Sequence, residues 1–300
     1  MATPNDTTET LITEIKQRAM VPNSQKTYLP IDLLRRATQE MDLYIIPMIL
    51  GSREEYFVYE VNSAMSGVGD YEINERAIGG VLRDLLVDYG TGQYQSIPYL
   101  DPDQRERANN SSGQLMFYLK WNKIVLVGST SNTGNMKQVI FMRPGRFVET
   151  TEAAQITAIN TGTFTVTIAT AMPTTFIANA SLDMISNKNL HAYKGIDQPV
   201  TSVTATDIVF TNALPTDLAV GDWISLAGES PLVQLPRELI PLLAQKVAVT
   251  IMHDLGDPKW KDGQAALEEM KTAAINLINP RVHGEDKIVV TGMNRNWWRY

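Results

Sequence analysis

The sequence contains no cysteine. Disulfides, thiolate metal sites and cysteine nucleophiles are thereby excluded, and the expectation is a reducing compartment. Histidine is scarce as well. The three present are His191, His253 and His283, and none stands in an HExxH or HxH pattern or near carboxylates at metal-ligand spacing. His253 precedes Asp254 near a helix end, where the dipole favours an imidazolium, and is read as a half-exposed helix residue. No GxSxG elbow and no Walker loop occurs. "GVGD", "GTGQ" and "TGNM" are isolated glycine turns rather than phosphate cradles. Glu54-Glu55 and Glu268-Glu269 are adjacent acids, whose side chains face different ways on a strand or helix and make poor acid/base pairs. The expectation is no enzyme: no catalytic, cofactor-binding or metal-binding residue is assigned.

Positive charge is also in short supply. The net charge is −7 and the pI near 5.1, which argues against a general basic surface for nucleic acid. It leaves open a channel through which DNA passes without sticking. No apolar run approaches the length of a bilayer span, so no membrane association is expected. The opening "MATPNDTTETLITEIKQ" lacks a basic start followed by an apolar run, so it is not read as a signal peptide. The expectation is a chain that is soluble and intracellular at synthesis.

What is present is a chain of 300 residues with 44% apolar content, enough to bury a real core. Leu11, Ile12 and Ile15 make a narrow stripe on a short helix from Thr7 to Met20, capped by Thr7 or Thr8. A stronger helix begins at Pro30, with Leu34, Ala37, Met41, Ile45 and Met48 on one face. Pro47 is expected to kink or end it. "EEYFVYEV", "YEINERAIGG" and "LRDLLVDYGTGQYQSI" read as β structure, with Gly90 and Gly92 at a tight hairpin. "DPDQRER" reads as a short helical turn. "QLMFYLKWNKIVLVGS" reads as two strands joined at Trp121-Asn122, and "KQVIFMRPGRFVET" as another strand.

From Thr150 to Gly228 the composition shifts to Thr, Ala, Val and Ile. "ITAINTGTFTVTIATAMPTTF" from Ile156 is echoed by "VTSVTATDIVFTNALPTDL" from Val200, with an offset of about 42 residues at the Pro-Thr pair, a repeat-scale period. Two such units suit a small sandwich or barrel. The helical period then returns. Ile240, Leu243, Val247, Ile251 and Leu255 form one stripe, and Leu267, Met270, Ala274 and Leu277 another, with a "GDPKW" corner between them.

The expected fold class is α+β. N- and C-terminal helices form an antiparallel bundle, accompanied by a β-rich segment, an inserted small β-sandwich or barrel and an extended C-terminal arm. The expected boundaries are 1–149 for the N-terminal helices and β-rich segment, 150–228 for the inserted β domain, 229–280 for the helical hairpin and 281–300 for the arm. That arm ends on "NRNWWRY", where two of the five tryptophans stand beside two arginines and a tyrosine. Chain ends are usually polar and frayed. Trp, Tyr and Arg dominate interface energetics, so this tail either anchors to a partner or packs across its own helices.

The ordered blocks "YLPIDLLRRATQEMDLYIIPMILGSREEYFV", "RAIGGVLRDLLVD", "VIFMRPGRFV", "ISLAGESPLVQLPRELIPLLAQKVAVTIMHDLGDP" and "NRNWWRY" resemble the head-to-tail adaptor, or head completion, proteins of tailed bacteriophages. The resemblance implies a virion protein of the neck, assembled in the bacterial cytoplasm. It implies a homo-oligomeric ring, commonly a dodecamer, docked beneath the portal protein. Such a ring continues the channel for transiting double-stranded DNA and offers a surface to the tail nozzle or to tail and fibre proteins. It makes Arg295, Trp297, Trp298, Arg299 and Tyr300 a portal-binding arm. The small adaptors of this type lack the inserted β unit, whose partner stays open. The sequence leaves two other readings open. One is a different neck or tail component, such as a nozzle, tail-tube or fibre-attachment protein. The other is a glycan-binding module using Tyr193 and Trp223.

Overall fold

The computed structural model describes residues 6–22, 28–66, 69–88, 90–101, 103, 115–128, 134–169 and 171–279. The 281–300 arm and most of the "DPDQRER" stretch lie outside the described residues.

Helix α1, Thr8–Arg18, starts on Thr7, whose Oγ1 accepts a hydrogen bond from the Thr10 N–H. Its stripe of Leu11, Ile12 and Ile15 is buried. Helix α2, Pro30–Glu40, places Pro30 in the first turn, where no donor is needed. A π turn, Met41–Ile45, follows, and helix α3, Ile46–Ser52, continues the same rod. Of the two outcomes expected at Pro47, a kink or an end, the end does not occur: the helix runs on to Ser52. The wider turn ahead of Pro47, closed by Ile46 N–H donating to the Met41 carbonyl, accommodates the ring and the missing donor.

Helix α4, Ile240–Asp254, is buried on most of its circumference and packs against α1, α2 and helix α5, Trp260–Ile278. The corner between them closes as a left-handed cap at Gly256, with φ 69°. Gly256 N–H donates to the His253 carbonyl and Asp257 N–H to the Met252 carbonyl, both at 3.0 Å.

The β-rich body has two sheets. Strands β1 (Val58–Met65), β2 (Asp70–Glu72), β3 (Ala77–Asp88) and β4 (Gln95–Ser96) are followed by β5 (Met116–Lys120), β6 (Lys123–Val127) and β7 (Gly134–Met142). One sheet has the order β1-β7-β3-β4 and the other β2-β6-β5. They share a core that includes Met65, Leu85, Phe117, Ile124, Leu126, Met136 and Ile140. The short strands β8 (Arg146–Phe147) and β15 (Glu229–Ser230) pair in parallel, so the chain leaves the body and returns to it side by side.

Between them lies a closed barrel of β9 (Ala154–Asn160), β10 (Thr165–Ile168), β11 (Ser181–Ile185), β12 (Tyr193–Val203), β13 (Asp207–Phe210) and β14 (Trp223–Leu226), in the order β10-β13-β12-β11-β14-β9. Exchanging β9, β10 and β11 for β12, β13 and β14 leaves that cyclic order unchanged. The 42-residue offset reappears in the hydrogen bonds: Ile168 N–H donates to the Thr206 carbonyl, and Phe210 N–H to the Phe164 carbonyl. Val166 pairs with Ile208 at the centre of this twofold relation. Phe176, Leu182, Met184, Ile208, Phe210 and Ile224 are among the side chains of the barrel's buried core, so the interior is packed rather than hollow.

The expected fold class needs correction. The chain is mixed α/β, with four helices (α2, its π turn and α3 forming one rod) against fifteen strands among the described residues, and a six-stranded closed barrel. A helical bundle is not its frame. Long helices announce themselves through a period sustained over several turns, whereas short half-buried strands carry weaker patterns that depend on distant partners.

Candidate functional site

Arg295, Trp297, Trp298, Arg299 and Tyr300 lie outside the described residues, as does His283. His253 is exposed and packs edge-to-face on Trp260, with ring centroids 5.2 Å apart. The other assigned or weighed residues fall in two regions: the seam between barrel and body, and the outer surface.

The seam is built around Arg76. Asn74 Oδ1 accepts the Arg76 N–H at 2.9 Å, an Asx turn that aims the side chain outward from the start of β3. The guanidinium donates to both carboxylate oxygens of Asp183 on β11, at 2.5 and 2.9 Å, and to Asp197 Oδ1 at 2.7 Å. Asp183 has no solvent exposure and also accepts the N–H groups of Asp197 and Gly228. Burial pushes the Asp183 carboxyl up from its ordinary range. The Arg76 hydrogen bonds and charge and the two backbone donors pull the other way, and four donors suit an ionised acceptor. Arg76 is itself desolvated, yet Asp183 holds its pKa above the ordinary arginine value. The guanidinium stands 5.7 Å from the Tyr193 ring centroid. Burial, reinforced by the Asp183 charge, raises the phenol pKa of both Tyr193 and Tyr59.

Further polar contacts continue the seam. Gln234 donates from Nε2 to the His191 carbonyl at 2.9 Å and accepts the Gly145 N–H at 2.6 Å. The buried His191 donates from Nδ1 to the Ser186 carbonyl at 3.0 Å, and its Nε2 stands 3.5 Å from Asp6. Asp6 in turn pairs with Arg237 at 3.0 Å. Lys194 and Asp222 form a buried ion pair at 2.8 Å. The carboxylates of Asp183 and Asp222 are thus occupied by fixed donors. The cavity alongside, about 110 Å³, is lined mainly by Tyr56, Tyr59, Met142, Pro144, His191 and Tyr193. This arrangement clamps the barrel to the body. Among the described residues no group of three metal-ligating side chains occurs, and no helix is long and apolar enough to cross a membrane. Tyr193 and Trp223, considered as a glycan platform, are half-buried, and Trp223 Nε1 is enclosed with no hydrogen-bond partner among the described residues.

On the outside, two features stand apart. A pocket of about 620 Å³ lies between α2 and the barrel, with Ile31, Leu34, Phe147, Val148 and Leu226 among its walls. Trp121, at the β5–β6 tip, is 96% exposed. In the sequence Trp121 stands out only as the joint between two strands. The usable clue was a bulky aromatic in a two-residue turn, a place that normally goes to Gly, Asn or Asp.

No protein-family model matches the chain, and no curated protein matches it. Function therefore rests on the sequence blocks and the geometry.

Proposed function

We propose that the protein is a structural joint of a tailed-phage particle, a head-to-tail adaptor that forms a ring beneath the portal. In this reading it links capsid to tail and continues the DNA channel, and its work is assembly rather than catalysis. Its partners are the portal, tail nozzle or fibre proteins, further copies of itself in a dodecameric ring, and transiting DNA held without sequence recognition. Its place is the virion neck, after assembly in the host cytoplasm.

One observation carries the reading. The blocks that resemble adaptors are far apart in sequence, yet Leu33, Leu34, Met41 and Ile49 from the first, Phe147 from the third, and Val233, Leu243, Val247 and Ile251 from the fourth share one hydrophobic core. A family's common body is expected to behave so, with variable material outside it. The net charge of −7 supports a channel component, since like charge shortens DNA residence on a wall. The clamp around Arg76 supports a part that transmits load without deforming.

The test is capture on immobilised portal rings. The full chain should be retained, and a chain lacking 294–300 should be lost to the wash. Equal retention of the shortened chain would remove the arm's assigned role. No retention of either would move the function to another neck or tail component.

A further inference from the structure

The β5–β6 tip concentrates three local costs. Trp121 has φ 57°, a left-handed backbone that is an outlier for a bulky residue. The residue is 96% exposed, although few side chains gain more from burial. Lys120 and Lys123 stand directly opposite each other across the ladder, a like-charge pair that weakens a hairpin. Neither lysine makes an ion pair among the described residues. The tip is nevertheless held firmly, because Ile73 N–H donates to the Asn122 carbonyl at 3.0 Å. Strain that folding does not need, presented on a rigid mount, points to a contact outside the subunit.

The pocket beside α2 is its chemical complement. Its apolar walls include Ile31, 57% exposed, and the buried Leu34, Phe147 and Val148. At about 620 Å³ it sits within the roughly 300–1,000 Å³ span of ligand-sized cavities, enough for an indole and the stems of flanking lysines. Four carboxylates, Asp32, Glu149, Glu152 and Glu229, face two guanidiniums, Arg35 and Arg146. Glu229 and Arg146 are already paired. Asp32, Glu149 and Glu152 make no ion pair among the described residues, so the rim carries surplus negative charge.

We propose that the Trp121 tip of one copy docks in the α2–barrel pocket of a second copy, the indole against Ile31, Leu34 and Phe147 and the lysines against Glu149, Glu152 and Asp32. Knob and pocket share no residue, so the contact is head-to-tail. Each copy keeps one unfilled half, and the chain of contacts propagates or closes into a ring. The contact rests on the adaptor reading for that closure and assigns it a pair of surfaces.

The test places the photo-reactive benzoylphenylalanine at position 121 of the full chain, irradiated alone and on portal rings. Cross-links should map to 31–35, 146–152 or 226–229 of a second copy. Cross-links mapping elsewhere, including to 281–300 or to the portal, or none in either setting, overturn the contact. Trp121→Gly separates docking from folding. Glycine accepts the turn's backbone, so the melting temperature should hold or rise while self-association weakens at least about thirtyfold, the effect of deleting an aromatic anchor. Unchanged self-association overturns the proposal. Lys120→Glu with Lys123→Glu should also weaken association, and Glu149→Lys with Glu152→Lys in the same chain should restore it. Portal capture on the same preparations keeps the two readings apart. Missing cross-links with intact capture remove only the contact, whereas mapped cross-links without capture remove only the adaptor reading.

Discussion

Replacing Arg76 by methionine keeps the length and apolar stem of the side chain and deletes its charge. Asp183, with no exposure, would then keep only the Asp197 and Gly228 N–H groups as donors. Removing one partner of a buried ion pair costs about 3–5 kcal/mol, because the other charge is stranded. The Arg76 side chain is 12% exposed and two backbone donors remain, which favours the lower end, about 3 kcal/mol. The Asp197 contact adds little, since Asp197 is 44% exposed and such pairs contribute about 0–1 kcal/mol. The loss falls on the seam, so it should appear in barrel opening. Amide exchange in β11 and β14 should accelerate by about two orders of magnitude, at 1.36 kcal/mol per factor of ten. The double variant Arg76→Met/Asp183→Asn should recover part of this, because no charge is left buried. Acceleration below about threefold in the single variant, or simple addition in the double, would refute the clamp.

Two further substitutions probe other parts of the fold. A Cβ at Gly145 would lie 2.8 Å from both the Glu229 carbonyl carbon and Ser230 Cβ, so Gly145→Ala should cost about 1–3 kcal/mol through forced separation of β8 and β15; an unchanged denaturation midpoint would count against that packing. Burial raises the Asp42 carboxyl pKa and Arg143 only partly offsets it. The folded state therefore holds this proton more tightly, so the contribution is full below the unfolded value of about 3.9 and is lost as pH rises through the raised folded value. Asp42→Asn should gain stability relative to the parent between pH 4 and pH 7, read as a widening gap in thermal midpoint; a constant gap contradicts it.

The helices were the most readable part of the chain. Leu34, Ala37, Met41 and Ile45, chosen by spacing, are all buried, as are Ile240, Leu243, Val247 and Ile251. The errors sit at helix ends, where the period stops being a guide. Leu255 at the corner is 48% exposed, and Leu277 faces out while Ile278 faces in. The Ile156 and Val200 echo was visible because related strands keep related side chains. Barrel closure was not visible, since it depends on β9 meeting β14, whose residues pair across some 68 positions, Trp223 with Gln155. The Arg76–Asp183 clamp joins residues 107 apart with no local pattern around either. Trp121 differs: its clue is local, an aromatic where turn chemistry asks for a small residue.

In the proposed role the chain is a ring-forming joint that grips the portal with its aromatic, basic end. Electron cryo-microscopy of portal rings incubated with the full chain tests it most directly. The expected result is a coaxial ring of added subunits, with 294–300 of each seated on the portal. Bare portals, or a bound ring whose 294–300 segments lie against their own subunits, would contradict it.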